Sequence, residues 1–203
     1  HLFSNELPLK DKKITAEACI HHLWFSDADY KDKGTFIKWN PAVKTAADRD
    51  EILEAVLDDR IDVIATDHAP HTLEEKERSY FQAPSGGPLV QHSIVTMMEL
   101  YHQGKISLER MVEKMAHNPA ILFRIKDRGY IREGYYADLV VVNPDDPWTV
   151  SRENLLYKCG WSPFEGQKFR SKVEQTFVSG HWAWRHGALN EGKAGMRLGF
   201  EKR

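Results

Sequence analysis

Two textures of apolar and polar residues divide the chain. Up to about residue 125, short apolar runs alternate with stretches of helical period. Residues 14–20 and 61–66 are rich in residues suited to a pleated, buried surface and predict strands. Between them, Asn40-Pro41 breaks the chain after an irregular polar stretch. A helix is then predicted from Thr45, because Ile52, Leu53, Val56 and Leu57 fall on one helical face. Asp48, three residues after Thr45, suits a cap at its start. A charged loop is predicted to Ser85-Gly86-Gly87-Pro88, then helices over 89–102, stopped by Gly104, and over 107–117, with a helical turn to Phe123. Beyond Lys126 the apolar runs shorten, and 129–131, 137–142, 148–150 and 173–181 predict strands separated by turns. Residues 1–124 therefore form strand–helix units, which argue for a parallel sheet, and 125–203 form a β-rich segment. Two such units cannot close a parallel barrel of eight strands. The first part is either a small open sheet or the end of a larger barrel.

Composition narrows the setting more than the chemistry. Of 203 residues, 41% are hydrophobic and 29% charged, an ordinary globular balance. A formal net charge of −2 gives no electrostatic footing for nucleic acid or an anionic membrane. No apolar run approaches the roughly 20 residues that span a bilayer. The opening His1-Leu2-Phe3-Ser4 carries neither Met nor a signal-peptide pattern, so the chain is expected to begin inside a longer protein. Cys19 and Cys159 are the two cysteines. They form no disulfide framework and no paired zinc motif, and both are expected as reduced thiols in the cytoplasm. The ten histidines are more telling, since His21-His22 and His68/His71 each follow a strand-like run. That placement directs attention to metal chemistry.

Asp67 ends the second predicted strand. In a barrel of alternating strands and helices, the C-terminal strand ends face the active site. A carboxylate there is suited both to holding a divalent metal and to taking a proton from the attacking water. His68 and His71 bracket the same mouth, and Pro70 restricts the turn between them. As neighbours on a strand, His21 and His22 would point to opposite faces, leaving at most one toward the mouth. Glu17 is open to two readings, a group reaching the site or a partner for a buried cation. His92, His102 and His117 lie on predicted helices and are expected at the surface. His181 and His186 are expected to stand apart from any chemistry. The six tryptophans are expected mainly in the core of the strand-rich part.

The string Ala65-Thr66-Asp67-His68-Ala69-Pro70-His71-Thr72-Leu73-Glu74-Glu75-Lys76 resembles a signature of the type I dihydroorotases, a family of the amidohydrolase superfamily, and matches all its specified positions. Glu17-Ala18-Cys19-Ile20-His21-His22-Leu23 is similar to another stretch of that family. So is Lys38-Trp39-Asn40-Pro41-Ala42-Val43-Lys44, with Ala42, Val43 and Lys44 as departures. Ser162-Pro163-Phe164-Glu165-Gly166 resembles its late Pro-Phe-Glu-Gly, and Gly134-Tyr135-Tyr136-Ala137-Asp138-Leu139-Val140 a wider amidohydrolase pattern.

The resemblance implies an α/β fold: the C-terminal part of a (β/α)8 TIM barrel, followed by part of a small β-rich, β-sandwich-like domain. It implies reversible hydrolysis of the cyclic amide of L-dihydroorotate to N-carbamoyl-L-aspartate, in pyrimidine biosynthesis. Asp67 would ligate metal and act as general acid and base. Asn40 and His71 would contact the substrate, and Ser85 and Gly86 would lie in a substrate loop, where the family's usual Pro-Phe-Gly reads Pro84-Ser85-Gly86. Two zinc ions are implied in the complete enzyme. Their other ligands, a His-x-His pair among them, are expected upstream of His1, since this chain contains no His-x-His. One carboxylate falls short of the roughly three protein ligands of a catalytic zinc, so the chain alone is expected to be inactive. The partner is a small-molecule substrate, with a homo-oligomer as a further expectation. The alternatives are a hydantoinase- or allantoinase-type cyclic amidohydrolase and a non-catalytic scaffold homologue.

Overall fold

A computed structural model describes residues 5–192 and 195–202. Two short parallel strands, β1 (Glu17–Cys19) and β2 (Val63–Ala65), pair with Glu17 opposite Val63 and Cys19 opposite Ala65. Ala18, Cys19, Val63 and Ile64 are buried. Apolar residues at successive positions suit a parallel strand covered on both faces.

The strand expected over 14–20 is confined to Glu17–Cys19. Its last apolar residue opens a helix, α1 (Ile20–Trp24), so the two histidines leave the strand altogether. Ile20, Leu23 and Trp24 stand at i, i+3 and i+4, which is a helical face. A single turn, α2 (Tyr30–Lys33), follows, then α3 (Ala46–Leu57). Thr45 caps α3 as expected. Its hydroxyl accepts from the Asp48 amide at 3.2 Å, and the Asp48 carboxylate accepts from the Thr45 amide at 3.1 Å.

Past β2 come one turn, α4 (Leu73–Lys76), and then α5 (Ser93–His102), which a 3-10 turn at Val90–His92 precedes. Gly104, at φ 70°, ends α5. The next predicted helix divides into α6 (Leu108–Val112) and a π-helical turn (Glu113–His117), and runs on into α7 (Asn118–Leu122). In the wide turn Lys114 is fully buried and donates to Asp59 at 2.7 Å and to the Ile61 carbonyl at 2.6 Å. Asn118 donates to the Asp62 carbonyl at 2.7 Å. These bonds fasten the α6–α7 end to the segment that leads into β2.

Residues 129–131 are turns rather than a strand. Gly129 has φ 80°, and a side chain there would meet the Ala116 carbonyl at 2.8 Å and Ala120 at 2.5 Å. Only glycine lets the chain pass so close to α7. Four antiparallel strands follow in the order β3-β6-β7-β8 (Leu139–Asn143, Lys172–Val178, His181–Arg185, Ala188–Leu189), with bulges in the first two pairings. A separate pair, β4 (Trp148–Thr149) and β5 (Lys168–Phe169), lies against the helical part. Val150, Phe164 and Phe169 join one hydrophobic core with Ile20, Leu23, Phe25, Ile37 and Trp39. Of the tryptophans, Trp39 and Trp161 are buried, Trp39 in the first part and Trp161 in the strand-rich part where it packs on Phe36. Among the described residues no helix is long and apolar enough to cross a membrane.

Candidate active site at the ends of the parallel strands

Because β1 and β2 are parallel and in register, the residues that leave their C-terminal ends emerge side by side. From β1 come His21 and His22; from β2 come Thr66 and Asp67. His21 is fully buried and stacks on Trp39, with ring centroids 4.3 Å apart and an 11° tilt. Neither of its ring nitrogens has a hydrogen-bond partner. Burial, with a smaller effect of His22, lowers its pKa to about 2, which keeps the imidazole neutral. His22 is half-buried and keeps Nε2 3.0 Å from the Pro41 carbonyl. Burial lowers its pKa; the Pro41 contact and the Asp67 charge oppose that shift. His21 and His22 lie together beside the strand end, ring centroids 4.0 Å apart, and the Asp67 charge acts on His22. The sequence signal was the helical spacing of Ile20, Leu23 and Trp24.

Asp67 is exposed, with φ 47°. Its carboxylate makes no hydrogen bond among the described residues and stays available to a ligand. Glu17 is exposed at the opposite end of β1. The residue after Asp67 anchors the loop. His68 Nδ1 accepts from the Leu89 amide at 3.0 Å and the Val90 amide at 3.3 Å, which places its proton on Nε2. The Ala69 amide donates to the Gly87 carbonyl at 3.2 Å. His71 Nε2 lies 3.1 Å from the Ser85 carbonyl, to which it donates, and Nδ1 lies 3.7 Å from Glu75. The His71 carbonyl accepts from Trp161 Nε1 at 2.8 Å.

Gly86 closes against this loop. A Cβ there would meet the Ala69 carbonyl at 2.5 Å, and φ is 124°, so glycine is required. Its amide donates to the Lys38 carbonyl at 2.9 Å, which brings the 84–86 loop beside the segment carrying Asn40. Asn40 is exposed, and its side-chain amide has no partner among the described residues. Asn40, His71, Ser85 and Gly86 thus lie on adjoining segments, tied together by the Gly86–Lys38 and His71–Ser85 bonds.

Not every histidine is where the sequence places it. His92, expected at the surface, is fully buried among Trp148, Phe164 and Phe169. Tyr157 accepts from the Gln91 amide at 2.9 Å and lies 3.1 Å from His92 Nδ1. Burial lowers the His92 pKa to about 4. His102 bonds Ser171 at 2.8 Å, and His117 stacks on Tyr130 at 4.1 Å; both are half-buried.

A divalent metal would find donors of the right chemistry here in the Asp67 carboxylate and a neutral imidazole of the His21–His22 pair, of which His21 keeps both buried ring nitrogens without a hydrogen bond. Among the described residues no group of three His, Cys, Asp or Glu side chains is placed to hold an ion. The donors present fit part of a metal site.

The model of the "Amidohydrolase family" matches residues 8–183. The chain belongs to that family. It is 43% identical over 152 residues to a dihydroorotase of Halobacterium salinarum, covering 75% of this chain and 36% of that protein. To a dihydroorotase of Clostridioides difficile it is 40% identical over 168 residues, covering 82% and 39%. The chain thus spans about two fifths of the length of these curated relatives. An L-hydantoinase (dihydropyrimidinase) from Arthrobacter aurescens superposes with a TM-score of 0.82 at 27% identity, over 88% of this chain and 41% of that one. The fold is the C-terminal part of an amidohydrolase barrel with part of its β-rich domain.

Proposed function

We propose that this chain is the C-terminal part of a dihydroorotase, which interconverts L-dihydroorotate and N-carbamoyl-L-aspartate in pyrimidine biosynthesis in the cytoplasm. The observation that carries the reading is the unbonded Asp67 carboxylate at the end of β2, leading into a loop whose His71 is tied to Ser85.

Asp67 and a histidine of the His21–His22 pair are the donors this chain would offer to a metal, which we take to be zinc. The chemistry supplied by a bound divalent metal is polarisation of the scissile carbonyl and acidification of water. Asp67 takes the proton of the attacking water and passes it to the departing ring nitrogen, a role for which an exposed carboxylate free of competing bonds is suited. Asn40 presents amide donors to the substrate carboxylate. Gly86 lets backbone approach a small planar ring, and Ser85, through its carbonyl, sets the His71 imidazole at the rim.

The likeness to the L-hydantoinase structure supports a second reading, a cyclic amidohydrolase for a ring without a carboxylate. Hydrolysis of dihydroorotate and of hydantoin, compared on a polypeptide that supplies the upstream strands, separates the two. Preference for dihydroorotate is expected. In that polypeptide Asp67→Asn is expected to lower turnover by about a thousandfold; normal turnover by Asp67→Asn would sink the mechanism.

A further inference from the structure

Lys76, the last residue of α4, is fully buried and forms no ion pair among the described residues. Its ammonium donates to the Gly86 carbonyl at 2.8 Å and the Pro84 carbonyl at 2.9 Å, and lies 3.5 Å from the Lys38 carbonyl. The Trp161 ring covers it at 5.7 Å. Burying a cation without a carboxylate is costly, and an apolar side chain of similar length would fill the same space without that cost. What an apolar side chain lacks is three donors directed at three carbonyls, which is the valence of an ammonium group.

The three carbonyls belong to two different segments. Lys38 precedes Asn40 by two residues, and Pro84 and Gly86 flank Ser85. Lys38 fastens the same segments from the other side. Its Nζ donates to the Tyr80 and Ala83 carbonyls, at 2.6 Å each. The Gly86 amide adds its bond to Lys38. Two lysines thus lace residues 38–40 to loop 80–86, and Lys76 is the laced point shielded from water.

We propose that Lys76 is a positioning residue for the substrate face, an ammonium pin that holds the Asn40 segment and the Ser85-Gly86 loop in fixed relation. The part of this proposal that concerns substrate rests on the dihydroorotase reading; the pin itself does not. Hydrogen exchange on this chain tests the pin alone. In Lys76→Met the Gly86 amide is expected to exchange at least about tenfold faster than in the parent chain, with amides of the β6–β7 ladder unchanged. Lys76→Arg, which keeps a charged multivalent donor, is expected to retain more of the Gly86 protection than Lys76→Met. Unchanged exchange at Gly86 in a folded Lys76→Met chain, or equal loss in both variants, would overturn the pin. Kinetics on the polypeptide with its upstream strands test the consequence. Lys76→Met is expected to raise KM for dihydroorotate about tenfold while changing kcat less than about threefold, because the substrate contacts are displaced and Asp67 is not. An equal fall in kcat with KM unchanged would overturn the positioning role. If the parent enzyme ignores dihydroorotate, the substrate reading fails, and the exchange result still decides the pin.

Discussion

Phe164 and Phe177 are the same residue type in two different settings. Phe164 is fully buried, with the rings of Trp24, Phe25, His92 and Phe169 within 5.2 to 6.0 Å. Phe177 is half-buried on β6, stacked on Trp182 at 5.8 Å, with Arg185 over the far partner at 3.5 Å. The contrast extends to whole regions. The barrel side has a closed apolar core and polar groups sealed within it. The strands of the four-stranded sheet contain no fully buried residue among those described. One region is held by excluded water and the other by its hydrogen-bond ladder and exposed ring pairs, so a given substitution has a different cost in each.

Truncation puts numbers on that contrast. Phe164→Ala is expected to cost about 3–5 kcal/mol, the transfer free energy of the ring plus a cavity it leaves among four aromatics. Phe177→Ala is expected to cost about 1 kcal/mol, the worth of one ring pair in a half-solvated place. Urea unfolding of both variants checks this, and equal costs would break the distinction between the regions.

Acid should separate the regions as well. The His92 pKa is about 4 in the folded chain against 6.5 for the free residue, because burial disfavours its charged form. Between those values the unfolded chain takes up a proton that the folded chain does not. Stability is therefore intact above 6.5 and falls as pH drops toward 4, by about 3 kcal/mol for this residue. His21, lowered to about 2 by burial, adds to the loss. Unfolding free energies measured from pH 7 to 4.5 are expected to fall less in His92→Asn than in the parent chain. Parallel curves would mean that His92 is not the group that titrates.

The comparison also explains what was legible beforehand. The helix at 46–57 was readable from its cap and its apolar spacing, because both signals are local. The Asp67 loop was readable because a signature fixes its residue types. The helical place of His21 and His22 is hidden in the sequence because a three-residue strand and a one-turn helix share one apolar run. His92 looked like a surface residue because its burial comes from Trp148, Phe164 and Phe169, more than fifty positions away. Lys76 stood inside the quoted signature, yet its role depends on carbonyls, which no side-chain pattern reveals.

The smallest effect concerns how the Asp67 loop is moored to that core. His68 receives two backbone amides on Nδ1, and one of them belongs to buried Leu89. Asparagine carries an oxygen close to where Nδ1 stands, whereas glutamine carries it one bond further out. His68→Asn is therefore expected to stay within about 0.5 kcal/mol of the parent chain, and His68→Gln or His68→Leu to lose about 1–2 kcal/mol as the Leu89 amide goes unpaired. Nitrogen NMR of the parent chain should show the proton of His68 on Nε2. If His68→Asn and His68→Leu are equally destabilised, the accepting Nδ1 is not what moors the loop, and its moorings lie in the Ala69–Gly87 and His71–Ser85 bonds.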